Sequence, residues 1–308
     1  MSSRQPWPKV CSSEEALALD CGKFCAPAAK ATESPIDEYY AYARKVITIG
    51  TQDALEANDV LGRVLILGLV SGVEQFFRSV LARTIQVCPL SRAHAADQLV
   101  AFGAVDYYQG EELPLGLFEG TSFASRTEIK SRTKKVLNVD VPDGSSVATA
   151  IAEFESVCQL RHAAAHSRGE LSAGNARALK LDGKGRQHVR VRLAELHAAA
   201  KACQNVVRAF NSFLFESVVL RWAKDELIVG RWEADRGRFE QALALFYSRE
   251  DMGDLSDPAG LYSAAVTRII PLDGKRARGP GAPAAPTAGP APDTLESGPA
   301  QAPGRPDS

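Results

Sequence analysis

Six consecutive residues near the middle of the chain combine the side chains needed for proton transfer and anion binding. The segment from Arg161 to His166 has the sequence RHAAAH. An imidazole can accept a proton from an attacking hydroxyl or donate one to a leaving oxygen. A guanidinium nearby can hold the non-bridging oxygens of a phosphate as charge builds on them. The residue types therefore suit cleavage of a phosphodiester.

This segment is predicted to end an amphipathic helix. Ser146 is expected to cap the helix, which should run to about Arg168 with Gly169 as its left-handed stop. On an ideal helix with about 3.6 residues per turn, one apolar stripe should face the core. Its members are Val147, Ile151, Phe154, Cys158 and Ala165.

The borders of this stripe hold the candidate site residues. Arg161 falls on one border, and Glu155, His162 and His166 fall on the other. By spacing alone, the polar border of any solvated helix gives the same pattern. A metal site is a second alternative, in which His162 and His166 chelate an ion with Glu155 or a distant group as the third ligand.

The setting of the segment resembles the third-helix signature of the HEPN superfamily, the higher eukaryotes and prokaryotes nucleotide-binding domains. That signature is an arginine, four to six residues and a histidine, usually with a polar residue directly after the arginine and a glycine soon after the histidine. Here the gap is four, the polar residue is His162 and the glycine is Gly169. Residues 65–78, LILGLVSGVEQFFR, are similar to the preceding core helix, whose embedded acid would be Glu74. The resemblance covers roughly residues 35–222.

The resemblance implies a metal-independent endoribonuclease that needs no cofactor. Two copies of the signature helix would meet in a homodimer and form one composite site. His166 would be the acid/base group, Arg161 would position the phosphate, His162 would orient the site and Glu74 would hold Arg161 from behind. The 2′-hydroxyl of the RNA would attack and leave a 2′,3′-cyclic phosphate, so DNA should be inert. Members commonly act as toxins or phage-defence effectors, so a neighbouring-gene partner such as an antitoxin is expected.

Other interpretations fit the same residues. The superfamily also suggests a non-catalytic module that binds nucleotide, RNA or a protein partner, and a structural helical protein with an accidental motif is a third hypothesis. Glu74 could instead pair with Arg78, one helical turn away. Arg168, Lys184 and Arg186 are candidates for contacts with an RNA backbone, although such residues also populate ordinary solvated faces.

The elements that must position these residues indicate an all-α fold, a HEPN-like helical bundle with an irregular insertion and a disordered tail. Residues 1–33 are a lead-in of uncertain order, 34–223 the helical domain with an insertion at about 89–145, 224–272 a helical extension and 273–308 a disordered Pro/Ala/Gly-rich tail.

The main helices are predicted from Pro35, over Val60–Ile85, from Ser146, over about Leu193–Trp222 and over about Arg238–Tyr247. Within the insertion, short helices are expected at Ser91–Phe102 and Ser125–Val136, with a loop at Gly110–Gly120. Two short strands are expected at Ala178–Leu181 and His188–Val191.

Composition sets limits on the function. The 308 residues are 45% hydrophobic and 24% charged, and the net charge of −1 gives no global field for nucleic acid. RNA binding would therefore depend on a local basic cluster. The longest apolar run, Val64 to Val73, is short of the roughly 20 residues that cross a bilayer. A cytoplasmic protein without a membrane partner is expected.

The six cysteines are Cys11, Cys21, Cys25, Cys88, Cys158 and Cys203. Cys158 and Cys203 lie in apolar helical surroundings and are predicted to be small core residues. Cys11, Cys21 and Cys25 could hold a metal, but their spacing lacks the usual two-residue gap and no second ligand pair follows. No metal site is therefore predicted.

Overall fold

The computed structural model describes residues 10–12, 18–28, 31–182 and 185–269. The predicted tail and Lys184 lie outside these described residues. Within them no β-strand forms, which confirms the predicted all-α class. The helices are α1 (Pro35–Ile49), α2 (Gln52–Ala57), α3 (Asp59–Val87), α4 (Pro89–Ala95), α5 (Phe102–Tyr107), α6 (Arg126–Leu137), α7 (Ser146–His166), α8 (Ala173–Ala178), α9 (Leu193–Lys224), α10 (Trp232–Phe246), α11 (Arg249–Met252) and α12 (Pro258–Ile269). Two 3₁₀ helices lie at Cys21–Phe24 and Gly110–Phe118.

Helix α3 is the centre of the bundle. The Asn58 side chain accepts the backbone N–H of Val60 at 2.9 Å and so starts the helix. The helix ends at Val87, and its cap residue Cys88 directly precedes a proline. Helices α1, α7 and α9 pack around it. The core is rich in aromatic side chains: the Phe77 ring stacks on Phe123 at 5.5 Å and meets Phe210 edge-on at 4.8 Å between centroids. The all-round apolar pattern of α3 is explained by this central position.

By length and composition, α3 is also a candidate to span a membrane. Its most apolar stretch has a mean hydropathy of 1.6, but 61% of that stretch is buried inside the bundle. Burial of this extent is typical of a core helix packed by its neighbours.

The segment between α3 and α7 differs in detail from expectation. The helix predicted around Ser91–Phe102 is confirmed only in its first part, because α4 ends at Ala95 and α5 begins at Phe102. The expected loop at Gly110–Gly120 is instead a 3₁₀ helix that packs on α3. The predicted helix at Ser125–Val136 is confirmed, with Ser125 as its cap: its hydroxyl accepts the N–H of Glu128 at 3.2 Å.

The two predicted short strands are also wrong. Ala178 is the last residue of α8 and the next two residues form a turn, so the first strand does not form. The second segment makes a single antiparallel bridge between His188 and Glu170, just after α7. Val189 and Val191 are buried there, which explains the alternating apolar pattern in the sequence.

The helices after α9 pack back onto the bundle. The Asp37 carboxylate in α1 accepts the Ser248 hydroxyl at 2.6 Å and the Arg249 N–H at 2.9 Å. Arg208 in α9 forms an ion pair with Asp251. These contacts tie α11 to both α1 and α9. The last helix in the described residues, α12, lies within the predicted helical extension of residues 224–272, although no individual helix was predicted at that position.

Candidate functional site

Arg161 lies at the edge of the core beside a buried carboxylate. Its Nη2 atom is 3.9 Å from Oε2 of Glu74, and the Arg161 side chain is 32% exposed. Glu74 is only 7% exposed, on the central helix α3. The guanidinium therefore has one side against a fixed negative charge and another side open to solvent.

Glu74 is itself held by two hydrogen bonds from the segment before α6. Its Oε1 atom accepts the Ser122 hydroxyl at 2.8 Å and the Phe123 N–H at 2.9 Å. Arg78 does not take the pairing role considered for it, because it donates to the Thr121 carbonyl at 2.7 Å instead. The second oxygen of Glu74 is the one that faces Arg161. A carboxylate fixed in this way sets the position of the guanidinium.

The thiol of Cys158, one turn before Arg161, is part of the core. Burial raises its pKa, with smaller contributions from Cys203 and Glu74. A thiol that stays protonated at neutral pH is a poor nucleophile. The predictions that Cys158 and Cys203 are core residues are confirmed.

The last turns of α7 keep Ala163 buried in the core but present one exposed face to solvent. Val147, Ile151, Phe154 and Cys158 are buried as predicted. The prediction for Ala165 is wrong, because Ala165 is exposed, as are His162 and His166. On an ideal helix, Ala165 lies about 40° from Arg161 and His166 lies about 140° from it. Ala165 therefore lies between them, and the arginine and the histidines border the same open surface.

The two histidines lie next to each other on this face. Their ring centroids are 4.7 Å apart, as expected for positions one helical turn apart. Glu155, the third ligand considered for a metal, accepts the backbone N–H of Arg126 at 3.1 Å. Among the described residues, no group of three or more His, Cys, Asp or Glu side chains is placed to hold a metal ion.

The end of α7 is fixed by a left-handed turn. Ser145, rather than the predicted Ser146, caps the start of the helix. At the other end, the left-handed position falls on Arg168, with φ of 53°, and Gly169 follows with φ of 94°. The Gly169 N–H donates to the Ala163 carbonyl at 2.9 Å, which closes the turn.

Gly169 is also required by packing. A Cβ at this position would lie 2.6 Å from Cδ of Arg63 and 2.9 Å from Cε1 of His188. Arg63 is buried in α3, and the His188 Nε2–H donates to the Arg168 carbonyl at 2.9 Å. Because Gly169 has no side chain, α3 and residues 188–191 can pack closely against the end of α7.

Two of the three residues expected to contact RNA lie beside this turn. Arg168 is exposed. Arg186 forms a bidentate ion pair with Glu170, which lowers the pKa of that carboxyl group. Arg186 is thus neutralised by its neighbour. Lys184, the third residue, is outside the described part of the chain.

Sequence reasoning missed three residues that shape the site. Ser122 holds Glu74, while Arg63 and His188 pack against Gly169. No local pattern marks Ser122 or His188, because each acts on a partner far away in the sequence. Arg63 carried a signal that could have been followed, because it is a charged residue in a mainly apolar stretch of α3.

The described residues form an all-α bundle. Near the end of its third long helix, α7, Arg161 is partly exposed and His166 is exposed to solvent. No protein-family model, curated protein or solved structure matches the chain.

Proposed function

We propose that the chain is a metal-independent endoribonuclease of the HEPN type. The observation that carries this proposal is the position of Arg161. It is held by the buried Glu74 at the edge of an open face that also bears His162 and His166. A charge-assisted anion site next to an exposed imidazole is the minimum that phosphodiester cleavage requires.

In the proposed reaction, the RNA supplies the nucleophile. The 2′-oxygen attacks the adjacent phosphorus, and its proton passes to an imidazole of His166. The bond from phosphorus to the 5′-oxygen breaks, and that oxygen takes a proton from a second imidazolium. Arg161 holds the non-bridging oxygens, whose negative charge grows in the transition state. The products are a 2′,3′-cyclic phosphate and a 5′-hydroxyl.

One copy of the chain places a single His166 on the open face, and His162 is assigned to orienting the site. The proposal therefore includes a homodimer in which the His166 of the second copy supplies the second imidazolium. The small side chain of Ala165 at the centre of the face would allow a second α7 to approach closely. Arg63 contacts Gly169, so the start of α3 lies beside the end of α7. Val60 and Val64, close to Arg63 in α3, are 50% and 51% exposed. This exposed apolar surface is suited to burial against a second copy.

The proposal is tested with purified full-length protein and end-labelled RNA in the presence of a chelator. Wild type should produce fragments ending in a 2′,3′-cyclic phosphate and leave DNA of the same sequence intact. His166→Ala and Arg161→Ala should each lose the activity. His197→Ala, an exposed histidine on α9, is the matched control and should keep it.

The outcomes separate the alternatives. RNA that is bound but intact at high protein concentration, with binding lost in Arg161→Ala, would instead support a non-catalytic binding module. Cleavage that persists in both site variants would reject the proposed site.

The proposed biological role is that of a toxin or phage-defence effector in the cytoplasm, with RNA as target and a neighbouring-gene antitoxin as a candidate partner. Induced expression should then arrest growth, and His166→Ala expressed to the same level should not. Equal toxicity of the two proteins would argue against this role.

A further inference from the structure

An apolar surface is exposed between α4 and the 3₁₀ helix Gly110–Phe118. Four large apolar or aromatic side chains are open to solvent within nine consecutive residues: Leu99 and Phe102, which are 96% and 81% exposed, and Val105 and Tyr107. Single exposed apolar residues are common on soluble proteins, whereas a group of this density is typical of an interaction site. These four residues form the α5 surface.

The α5 surface is held open by packing on its other side. Ala104 is buried against the 3₁₀ helix, where a Cβ at Gly116 would lie only 3.2 Å from the Cβ of Ala104. On an ideal helix Phe102 lies about 160° from Ala104. Helix α5 therefore cannot turn Phe102 inward without exposing Ala104.

The segment that carries the α5 surface is strongly acidic. Between His94 and Arg126 the sequence contains five acidic residues and no Lys, Arg or His. The acids are Asp97, Asp106, Glu111, Glu112 and Glu119, and all five are exposed. In the described part of the chain, none of them forms an ion pair. This negative charge is local, since the whole chain carries a net charge of only −1.

Two of the acids lie close to the aromatic end of the α5 surface. The rings of Tyr107 and Tyr108 meet edge-on at 5.0 Å between centroids. Partial burial raises the pKa of Tyr108, and the carboxylates of Glu119 and Glu112 raise it further. Arg78 acts in the opposite direction, but its guanidinium donates to a backbone carbonyl. Negative charge therefore borders the exposed apolar groups.

We propose that the α5 surface binds a basic amphipathic segment of another protein. Apolar side chains of that segment cover Leu99 and Phe102, and its Lys or Arg residues pair with the surrounding carboxylates. The charge selects this partner, because the acids repel RNA and anionic membranes, and two α5 surfaces facing each other would bring like charges together. The inference does not rest on the proposed nuclease function, since no residue of the α7 face belongs to this surface.

The experiment measures the binding of two fluorescein-labelled peptides to the full-length protein by fluorescence anisotropy. The basic peptide has the sequence LKKLLKLLKKLLKL, which places leucines along one face of a helix. The acidic peptide has glutamate in place of every lysine and keeps the same apolar face. The basic peptide should bind, more weakly as salt is added, and the acidic peptide should not bind.

Charge reversal tests the role of the acids. Glu111→Lys/Glu112→Lys should weaken binding of the basic peptide by about tenfold. Asp53→Lys/Glu153→Lys is the matched control, because it changes the net charge by the same amount at exposed positions of α2 and α7. The control should bind nearly like wild type.

Truncation of one aromatic side chain tests the apolar contact. Phe102→Ala should weaken binding of the basic peptide by about tenfold, as expected for an aromatic residue at the centre of an interface. Phe24→Ala, the same change at another exposed phenylalanine, should have no effect.

The other outcomes would overturn the proposal. These are no binding of the basic peptide to wild type, equal binding of both peptides, and unchanged binding in the variants of the α5 surface. Binding that appears only in Lys275→Ser/Arg276→Ser/Arg278→Ser would identify the chain's own basic residues as the occupant instead. Self-association of wild type that Phe102→Ala abolishes in sedimentation velocity would identify a second copy as the occupant.

Discussion

The guanidinium of Arg161 lies 3.9 Å from the carboxylate of Glu74, although 87 positions separate the two residues in the sequence. The same carboxylate accepts hydrogen bonds from Ser122 and Phe123. Glu74 therefore joins α3, the segment before α6 and the end of α7. Any change at Glu74 should affect both the stability of the bundle and the placement of Arg161.

We expect Glu74→Ala to lower the free energy of unfolding by about 3 kcal/mol, because the buried Phe123 N–H, the Ser122 hydroxyl and one cation lose their partner. Glu74→Gln keeps an acceptor oxygen and should cost about 1 kcal/mol. Urea unfolding measures both values. Glu153→Ala, at an exposed position on α7, should stay within about 0.5 kcal/mol of wild type. If Glu74→Ala were as stable as this control, the contacts of Glu74 with Ser122, Phe123 and Arg161 would contribute nothing to the free energy of unfolding.

The turn after α7 gives a second prediction. Gly169→Ala should lower the free energy of unfolding by about 1–3 kcal/mol, because φ of 94° strains an alanine and its Cβ would meet Arg63. Gly237→Ala is the matched control, since nothing lies within 4 Å of a Cβ in that helical position. It should raise stability by up to about 1 kcal/mol. In thermal unfolding, the melting temperature should fall for Gly169→Ala and rise for Gly237→Ala. An unchanged melting temperature for Gly169→Ala would contradict the packing argument.

Much of the fold follows from the sequence, because helical periodicity reports which side of a helix is buried. Ser34 as a cap and the long apolar run from Val60 both led to helices that the structure contains. Helices α2, α8 and α12 were not foreseen as individual helices. The first two are only six residues long, too short for a clear period.

The site was less predictable than the fold. The helical periodicity correctly predicted that Phe154 and Cys158 are buried. It also predicted burial of Ala165, which is exposed in the structure. The projection onto an ideal helix assumes that neighbouring helices cover the stripe along its whole length, and this cover ends near Arg161. The contact of Ser122 with Glu74 joins residues 48 positions apart, which no local spacing can indicate.

The cysteines give a prediction about pH and reactivity. Cys11, Cys21 and Cys25 are exposed and should react rapidly with a thiol reagent at pH 8, whereas the buried Cys88, Cys158 and Cys203 should react only after unfolding. Burial also raises the pKa of Cys203 to about 12 from an ordinary value of 9.0. A thiol whose pKa is raised in the folded state contributes its full stabilisation at pH values below its ordinary pKa. This stabilisation should be lost as the pH rises from about 9 towards 12.

The pH dependence is checked by urea unfolding between pH 7 and the highest pH at which the protein stays folded. Stability should fall above pH 9, and the fall should be smaller in Cys203→Ala than in wild type. An identical pH profile for the two proteins would mean that Cys203 does not titrate on unfolding.

Ala165 gives the sharpest prediction for the proposed homodimer, because it is exposed between Arg161 and His166. Ala165→Arg would add bulk and a positive charge where two copies of α7 are proposed to meet. The added charge is attractive to RNA, so any loss of cleavage could not be explained by repulsion of the substrate. We expect a shift from dimer to monomer in sedimentation velocity, together with loss of RNA cleavage and little change in stability.

Ala152→Arg places the same side chain at another exposed position of α7 and should leave the oligomeric state and cleavage unchanged. A dimeric and active Ala165→Arg protein would show that this face does not mediate association. The two imidazoles required by the proposed reaction would then have to come from another arrangement. Monomeric wild-type protein that still cleaves RNA would point instead to His162 as the second proton-transfer group, since its ring lies 4.7 Å from that of His166.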